Sequence, residues 1–316
     1  MQLKCTAALS LMLTVLIPVL SKADNSARLM TAYQGGGCVG AKRLPDFESF
    51  IGQKISLATD GLDARSWRAI YDSVGWGSNC WHKAGKKLSL GLPMIPKDGS
   101  STLAEAATGA HDEVYEHVAK TLVSTGNADA IIRIGWEFNG NWFPWAAAKD
   151  PENYVVLWRR IVSIFRAVEG QEFRFDWCPG LGANQVAPER VYPGDDVVDI
   201  IGLDVYNAIW PSTPRDPQAR WLGYESGPYG LRWQRDFARA HGKPISFPEW
   251  GTGDRPDGHG GGDDAYFVRR MAEWIKANPV EYHSYWDYKA GDYDAKISDG
   301  RRPLAAAAFK EEFGKK

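Results

Sequence analysis

Two glutamates in this sequence have the surroundings that acid/base chemistry needs. Glu137 comes shortly after the apolar run Ala130–Gly135, Glu249 comes shortly after Pro244–Phe247, and a tryptophan adjoins each of them. A carboxyl group beside a buried strand and under an aromatic ring is poorly solvated, which raises its pKa and suits a general acid. Two such groups facing one cleft are the apparatus of glycoside hydrolysis. We therefore predict that Glu137 and Glu249 form a catalytic pair.

Both glutamates follow members of a repeated pattern in which a short apolar run, a polar loop and a helix-like stretch alternate. The strand-like runs are Leu29–Tyr33, Lys54–Ala58, Lys87–Leu92, Ala130–Gly135, Phe173–Trp177, Asp199–Asp204, Pro244–Phe247 and Glu281–Trp286. The helix-like stretches include Val114–Val123, Asn153–Val168, Leu231–His241 and Asp264–Lys276. Strands that alternate with helices indicate βαβ units. Eight such units predict a single-domain (β/α)8 TIM barrel over residues 24–316, with its active site at the carboxyl ends of the strands.

A doubly wound open sheet is the alternative architecture. It would place a glycine-rich phosphate turn after the first strand. Gly35–Gly37 stand at that point, but the residues that follow do not complete a G-x-G-x-x-G motif. This absence favours the barrel.

The predicted strand ends also carry side chains suited to holding a sugar. The candidate platforms are Trp142 and Trp286 first, followed by Trp76, Trp81 and Trp145. Asn139 and Asp204 are candidate hydrogen-bonding residues, with loop capping as the structural alternative. Arg133 lies four residues before Glu137 in the same strand, on the same face but deeper. It either pairs with a carboxylate or serves the structure alone.

The composition excludes some classes of function. Lys and Arg total 37 and Asp and Glu total 39, a net charge of −2, whereas nucleic-acid-binding proteins usually carry a strong basic excess. The chain has 14 tryptophans, a load that suits a packed core or a cleft that stacks on sugar rings. We expect a β-linked polysaccharide or oligosaccharide as the partner, and neither nucleic acid nor a cofactor.

Residues 1–23 have the features of a secretory signal peptide. Lys4 supplies a positive charge, Ala7–Leu20 is an apolar stretch, and Ser21–Ala23 forms a small-x-small cleavage site. The apolar stretch is shorter than the roughly 20 residues that span a bilayer. We predict cleavage before Asp24, a secreted or periplasmic location, no membrane span in the mature chain, and a monomer.

Export permits disulfide bonds. Cys38 and Cys80 lie in glycine-containing, loop-like sequence and are plausible disulfide partners, whereas Cys178 follows a strand-like run and is expected to be buried. Segment 254–264 contains four aspartates and His259, but its spacing matches no familiar cation site. We predict a mobile loop beside the cleft, with an aspartate capping the next helix, and no metal.

Three segments resemble glycoside hydrolase family 26, which belongs to a clan of retaining barrel glycosidases. Arg133–Trp145 is similar to the acid/base motif, Tyr192–Asn207 to the sixth-strand segment, and Phe247–Gly251 to the nucleophile segment. The resemblance implies a secreted β-glycanase, like the mannanases and β-glucanases of that family, which acts by double displacement. Glu249 would then be the nucleophile and Glu137 the acid/base, with the carboxyl groups about 5–5.5 Å apart.

The same resemblance implies roles for two neighbouring aromatic residues. Tyr206 would hydrogen-bond Glu249 and hold its rotamer. Trp136 stands where the family usually has His and the wider clan Asn, at the sugar next to the scissile bond. Because an indole offers one N–H donor and no acceptor, we predict weak action on plain β-mannan.

Two other functions are considered beside this hypothesis. The first is a catalytically inactive barrel that grips polysaccharide, although both glutamates stand in intact motifs, which favours an enzyme. The second is an enzyme that processes the producer's own exopolysaccharide. Trp136 and the absence of an appended carbohydrate-binding module motivate that second alternative.

Overall fold

The computed structural model describes residues 29–315, and the predicted signal peptide lies outside this part of the chain. The strands are β1 (Leu29–Ala32), β2 (Leu57–Gly61), β3 (Lys87–Leu92), β4 (Ile131–Ile134), β5 (Arg174–Trp177), β6 (Ile200–Gly202), β7 (Val205–Asn207), β8 (Ile245–Thr252) and β9 (Val280–Tyr285). They pair in parallel in the order β1-β9-β8-β6-β5-β4-β3-β2, and β7 pairs β8 beyond the end of β6. The predicted (β/α)8 barrel is therefore confirmed, with β6 and β7 sharing the sixth position.

Helices surround the barrel between the strands. They are α1 (Gly37–Ile51), α2 (Trp67–Lys83), α3 (Leu103–Ala107), α4 (Asp112–Ser124), α5 (Pro151–Arg166), α6 (Pro217–Ser226), α7 (Leu231–Ala240), α8 (Ala265–Ala277) and α9 (Pro303–Phe313). In α5, buried Leu157, Ile161 and Phe165 recur at the helical spacing that turns one face to the core. Asp150 caps this helix by accepting the Asn153 N–H. The four helices named from the sequence lie within two residues of their predicted bounds.

The second and seventh predicted strands differ most from the structure at their ends. The second strand was expected at Lys54–Ala58 but begins at Leu57, because Glu48 of α1 accepts hydrogen bonds from the residues just before it. The seventh was expected to end before Glu249. Instead β8 continues to Thr252 because its second half pairs with β7. Glu249 therefore lies within a strand, where its backbone is fixed by neighbours.

The interior of the barrel is layered. Leu57, Ile131, Ile200 and Tyr282 form a small buried apolar cluster inside it. Charged side chains such as Arg133 come next along the same strands, nearer the carboxyl ends. The apolar layer therefore closes one end of the barrel and leaves the polar chemistry at the other.

A disulfide joins Cys38 in α1 to Cys80 in α2, the predicted pair, and Cys178 is free and buried as expected. Helix α1 follows β1 and helix α2 follows β2, so the bond ties together the first two βα units. Among the described residues, β1 and β2 are the neighbouring barrel strands that are not hydrogen-bonded to each other, and the disulfide joins the helices that follow them. None of the helices between residues 29 and 315 has the length and apolarity to cross a membrane.

Candidate active site

Glu137 lies in the turn directly after β4, and its backbone is left-handed, with φ at 51°. This conformation is uncommon for a residue with a side chain. The Glu137 N–H donates to the carbonyl oxygen of Cys178 over 2.8 Å, which ties the turn to the end of β5. Strained residues of this kind cluster at functional sites, where surrounding contacts hold them in place. The turn therefore fixes the direction of the Glu137 side chain.

Glu249 of β8 is held at both of its carboxylate oxygens. The Tyr206 hydroxyl donates to Oε2 over 2.7 Å, and Nη1 of Arg133 donates to Oε1 over 2.7 Å. The hydrogen bond predicted for Tyr206 is thus present. Arg133 also pairs with buried Asp204. Of its two predicted roles, the structure therefore shows the pairing with a carboxylate. The two donors thus fix the rotamer of Glu249.

The two glutamates differ in their electrostatic surroundings. The pKa of Glu137 is raised to about 7, mainly by burial and then by the charge of Glu249, while the Trp142 hydrogen bond and the charge of Arg133 act in the opposite direction. Burial, followed by the charge of Glu249, also raises the pKa of the Tyr206 hydroxyl, so that group stays a donor. Glu137 can therefore act as the acid, because its carboxyl group is protonated near neutrality. Glu249, whose carboxylate is held by a cation, is suited to act as the nucleophile.

Trp142 combines exposure with a fixed position. Its side chain is 52% exposed, and its indole N–H donates to Oε2 of Glu137 over 2.7 Å. Gly140 makes room for the ring, since a Cβ at that position would lie 2.3 Å from it. An open aromatic face fixed beside the acid/base has the form expected of the sugar platform predicted there.

Trp286, at the end of β9, stacks on Tyr33 with ring centroids 4.2 Å apart and an interplanar angle of 10°. It also meets Tyr206 edge-on at 6.3 Å, which places it next to the nucleophile. Tyr33 was not among the candidate residues. Its position at the end of the first predicted strand is the signal that could have identified it.

Trp136 covers the end of β3. A Cβ on Gly91 would lie 3.3 Å from the indole, and the Arg133 guanidinium lies 5.4 Å from the ring centroid. Phe143 packs edge-on against the ring at 5.2 Å. Trp136 is therefore half-buried between the end of β3 and Arg133, and its role at the sugar site stays a prediction.

Asn139 and Asp204 are both buried. The Asn139 amide donates to the carbonyl oxygen of Gly180 and accepts from the Gly180 N–H, each over 2.8 Å. The Asp204 carboxylate pairs with Arg133 and accepts from the Cys178 thiol. Because their polar atoms are engaged by protein groups, the structure favours the structural alternative over sugar binding for both residues.

Two of the tryptophans considered as platforms are wholly inside the protein. Trp81 donates its indole N–H to Asp60, and Trp145 donates its own to the carbonyl oxygen of Trp136. Both rings are at most 1% exposed, so the prediction of a sugar platform is wrong for these two. Trp76 is exposed on α2. Sequence alone could not separate these cases, since buried acceptors for the indoles come from other strands and loops.

The aspartates of segment 254–264 serve structure. Asp264 caps α8 through the Phe267 N–H, as the sequence suggested, and pairs with Arg220. Asp263 accepts backbone N–H groups at the start of α9. Within residues 29–315 no group of three or more side chains is arranged to hold a metal ion.

Comparisons with known proteins identify related sequences. The model of glycosyl hydrolase family 26 matches residues 109–215. Endoglucanase H of Acetivibrio thermocellus is 27% identical over 224 residues, which cover 65% of this chain and 22% of that protein. A mannan endo-1,4-beta-mannosidase of Bifidobacterium adolescentis is 28% identical over 245 residues, which cover 68% of this chain and 24% of that protein. The chain thus matches about a quarter of the length of these relatives.

Solved structures show the same fold. An endo-beta-1,4-mannanase double mutant from Cellulomonas fimi superimposes with a TM-score of 0.59 at 21% identity, covering 83% of this chain and 65% of that one. The catalytic domain of an endo-beta-1,4-mannanase from Bacillus sp. JAMB-750 gives 0.61 at 19% identity, covering 85% and 78%. At these identities the likeness establishes the barrel.

Proposed function

We propose that the chain is a member of glycosyl hydrolase family 26, whose model matches residues 109–215, and that it is a retaining endo-β-glycanase that cleaves a β-linked polysaccharide with Glu137 and Glu249. One observation carries the proposal. Glu249 receives hydrogen bonds from Arg133 and Tyr206, while the pKa of Glu137 is raised to about 7, first by burial. One carboxyl group is thus prepared to attack and the other to donate a proton.

In the first step, Glu249 attacks the anomeric carbon while Glu137 donates its proton to the leaving glycosidic oxygen. A covalent glycosyl-enzyme forms as the aglycone departs. Glu137, now a carboxylate, removes a proton from water, which attacks the anomeric carbon and releases Glu249. Two inversions give net retention. Tyr206 and Arg133 keep Glu249 oriented, and Arg133 accommodates its changing charge.

The substrate class follows from the aromatic walls and from the relatives. Exposed Trp142, fixed beside Glu137, supports a sugar platform, and Trp136 and Trp286 are the other aromatic residues proposed to line the cleft. The relatives are named for glucan and mannan cleavage, which supports a β-linked glycan with a backbone of this kind. The signal-like first 23 residues support action outside the cytoplasm.

The experiment is a hydrolysis panel of β-mannan, mixed-linkage β-glucan, xylan and bacterial exopolysaccharides, with reducing ends as the readout. The wild-type protein should release reducing ends from at least one member. Glu137→Ala and Glu249→Ala should each lower turnover by several orders of magnitude without unfolding the protein. Glu169→Ala, an exposed glutamate beyond α5, is the matched control and should behave as wild type.

Near-normal turnover in either active-site variant would remove that residue from the proposed mechanism. A wild-type protein that binds a polysaccharide but releases no reducing ends would instead favour the inactive sugar-binding barrel. Release from an exopolysaccharide alone would identify a processing enzyme for that polymer.

A further inference from the structure

Trp210 lies in the loop after β7, at the same end of the barrel as the two glutamates, and is 45% exposed. The Arg255 guanidinium lies 5.1 Å from the ring centroid, and the His259 imidazole lies 4.7 Å from it. Both supporting groups belong to segment 254–264, which the catalytic mechanism does not use. The ring is therefore supported from within the protein while much of its surface stays open.

The loop that carries Trp210 is joined to segment 254–264 along the backbone. Ala208 and Gly260 form an antiparallel bridge, and the Ile209 N–H donates to the His259 carbonyl oxygen over 2.8 Å. The His259 imidazole in turn contacts the Ile209 carbonyl oxygen at 2.9 Å. A ring on such a support loses little conformational freedom when a ligand covers it, which favours binding.

The charges beneath the ring are compensated. Arg255 donates through Nε and Nη2 to the carboxylate of Asp257, and the His259 N–H donates to the same carboxylate. No unpaired cation is therefore presented to an anionic ligand at this point. A neutral ring with an apolar face, such as a pyranose, fits the site better than a phosphate or a uronate.

Asp292 links this cluster to the catalytic cleft. Its charge contributes to the raised pKa of Glu137, after burial and Glu249, and to the raised pKa of Arg255, after Asp257. One side chain that affects both groups lies within electrostatic range of both. Trp210 also follows Tyr206 of β7 by four residues, and the Tyr206 hydroxyl bonds Glu249, so the loop that carries Trp210 begins beside the nucleophile. A glycan bound across the glutamates can extend toward that ring.

We propose that Trp210, supported by Arg255 and His259, is a distal subsite that stacks on a neutral pyranose of the polysaccharide, away from the scissile bond. This inference rests on the proposed function of the cleft. Its consequence is a preference for long chains, because a short substrate that fills only the positions beside the glutamates does not reach Trp210.

The test uses Trp210→Ala in the full chain. Tyr71→Ala is the matched control, since Tyr71 is an exposed aromatic residue on α2 that stacks on His117. Affinity electrophoresis through gels containing β-mannan, mixed-linkage β-glucan or xylan measures binding independently of hydrolysis. The polysaccharide that is retained best is then compared, as a substrate, with the aryl β-glycoside of its own monosaccharide.

Trp210→Ala should weaken retention and raise KM for the polysaccharide by about three- to tenfold, the usual worth of one aromatic stacking contact. Its kcat, and its kcat/KM on the aryl glycoside, should stay within about twofold of wild type. Tyr71→Ala should change neither quantity.

Unchanged retention and KM in Trp210→Ala would overturn the subsite while leaving the hydrolytic proposal intact. An equal loss on the aryl glycoside would also overturn it, because the residue would then act on the catalytic centre or the fold. A wild-type protein that is retained by none of the three polysaccharides would overturn the subsite for these glycans, whereas the hydrolytic proposal would still be decided by the full panel with bacterial exopolysaccharides.

Discussion

Arg133 of β4 donates to Oε1 of Glu249 on β8 over 2.7 Å, so a cation from the acid/base strand directly holds the nucleophile. The same strand leads, four residues later, to Glu137 in its left-handed turn. Strand β4 thus supplies the positive charge that holds Glu249 and also positions Glu137. The separation of their roles follows from this arrangement.

Tyr206→Phe should lower kcat by about 10- to 100-fold, because a hydrogen bond to a charged group is worth roughly 1.5–3 kcal/mol. The phenyl ring keeps its packing, so KM for a short substrate should change little. Steady-state kinetics on an aryl glycoside measures both. Tyr192→Phe, which removes a hydroxyl bound to exposed Asp195, should leave both values unaltered. A Tyr206→Phe variant with wild-type kcat would show that the hydroxyl does not assist Glu249.

The pH dependence of kcat/KM should fall on the alkaline side with a midpoint near 7, since Glu137 must be protonated to act as acid and its pKa is raised to about 7. The raised pKa also means that the folded state is destabilised as the pH rises from about 4.3, the usual value for Glu, toward 7. Glu137→Gln should therefore raise Tm relative to wild type at pH 8 and change it little at pH 4. Equal Tm differences at the two pH values would contradict this.

Trp142→Phe should move the alkaline limb of the kcat/KM profile to higher pH. The variant keeps a flat ring but loses the indole N–H that donates to Glu137 and lowers its pKa. Full pH profiles of both proteins provide the measurement. Trp233→Phe, which removes an indole N–H bound to Glu189 outside the site, serves as the control. A limb that stays in place, or moves to lower pH, would show that this hydrogen bond does not tune the acid.

Trp136→His should increase the rate on β-mannan relative to other β-glycans by about ten- to a hundredfold, the worth of one buried polar group gaining a partner. The indole supplies no acceptor, whereas imidazole supplies either a donor or an acceptor. The unaltered protein should accordingly act weakly on plain β-mannan. The ratio of kcat/KM values on mannan and on the best alternative measures the change. Rapid mannan hydrolysis by the wild-type protein would refute the argument.

Local sequence signals predicted the barrel, because apolar runs and helical spacing report burial segment by segment. Glu137 and Glu249 were predicted for the same reason, each standing beside such a run. The left-handed backbone of Glu137 and the stacking of Tyr33 on Trp286 had no such signal. They depend on which loops meet when the ring closes, and that information is not local.

The two errors about buried tryptophans and the two reassigned polar residues have one cause. All four were placed at the cleft because they lie in or near the segments that follow predicted strands. Each is instead bonded inside the protein, as Trp81 is to Asp60 of β2 and Asn139 is to Gly180. Strand ends supply both the cleft and the supports beneath it, and only the three-dimensional contacts separate the two.

The central claim is that Glu249 forms the covalent bond to the sugar, and chemical rescue of Glu249→Ala tests it most directly. Azide is small enough to occupy the vacated position and attack the anomeric carbon of an activated aryl β-glycoside from the nucleophile's face. NMR of the early product should show restored turnover and an α-glycosyl azide, whereas Glu137→Ala with azide should give the β-glycosyl azide. A Glu249→Ala variant that azide leaves inactive, or that yields the β-azide, would contradict the assignment of Glu249 as nucleophile.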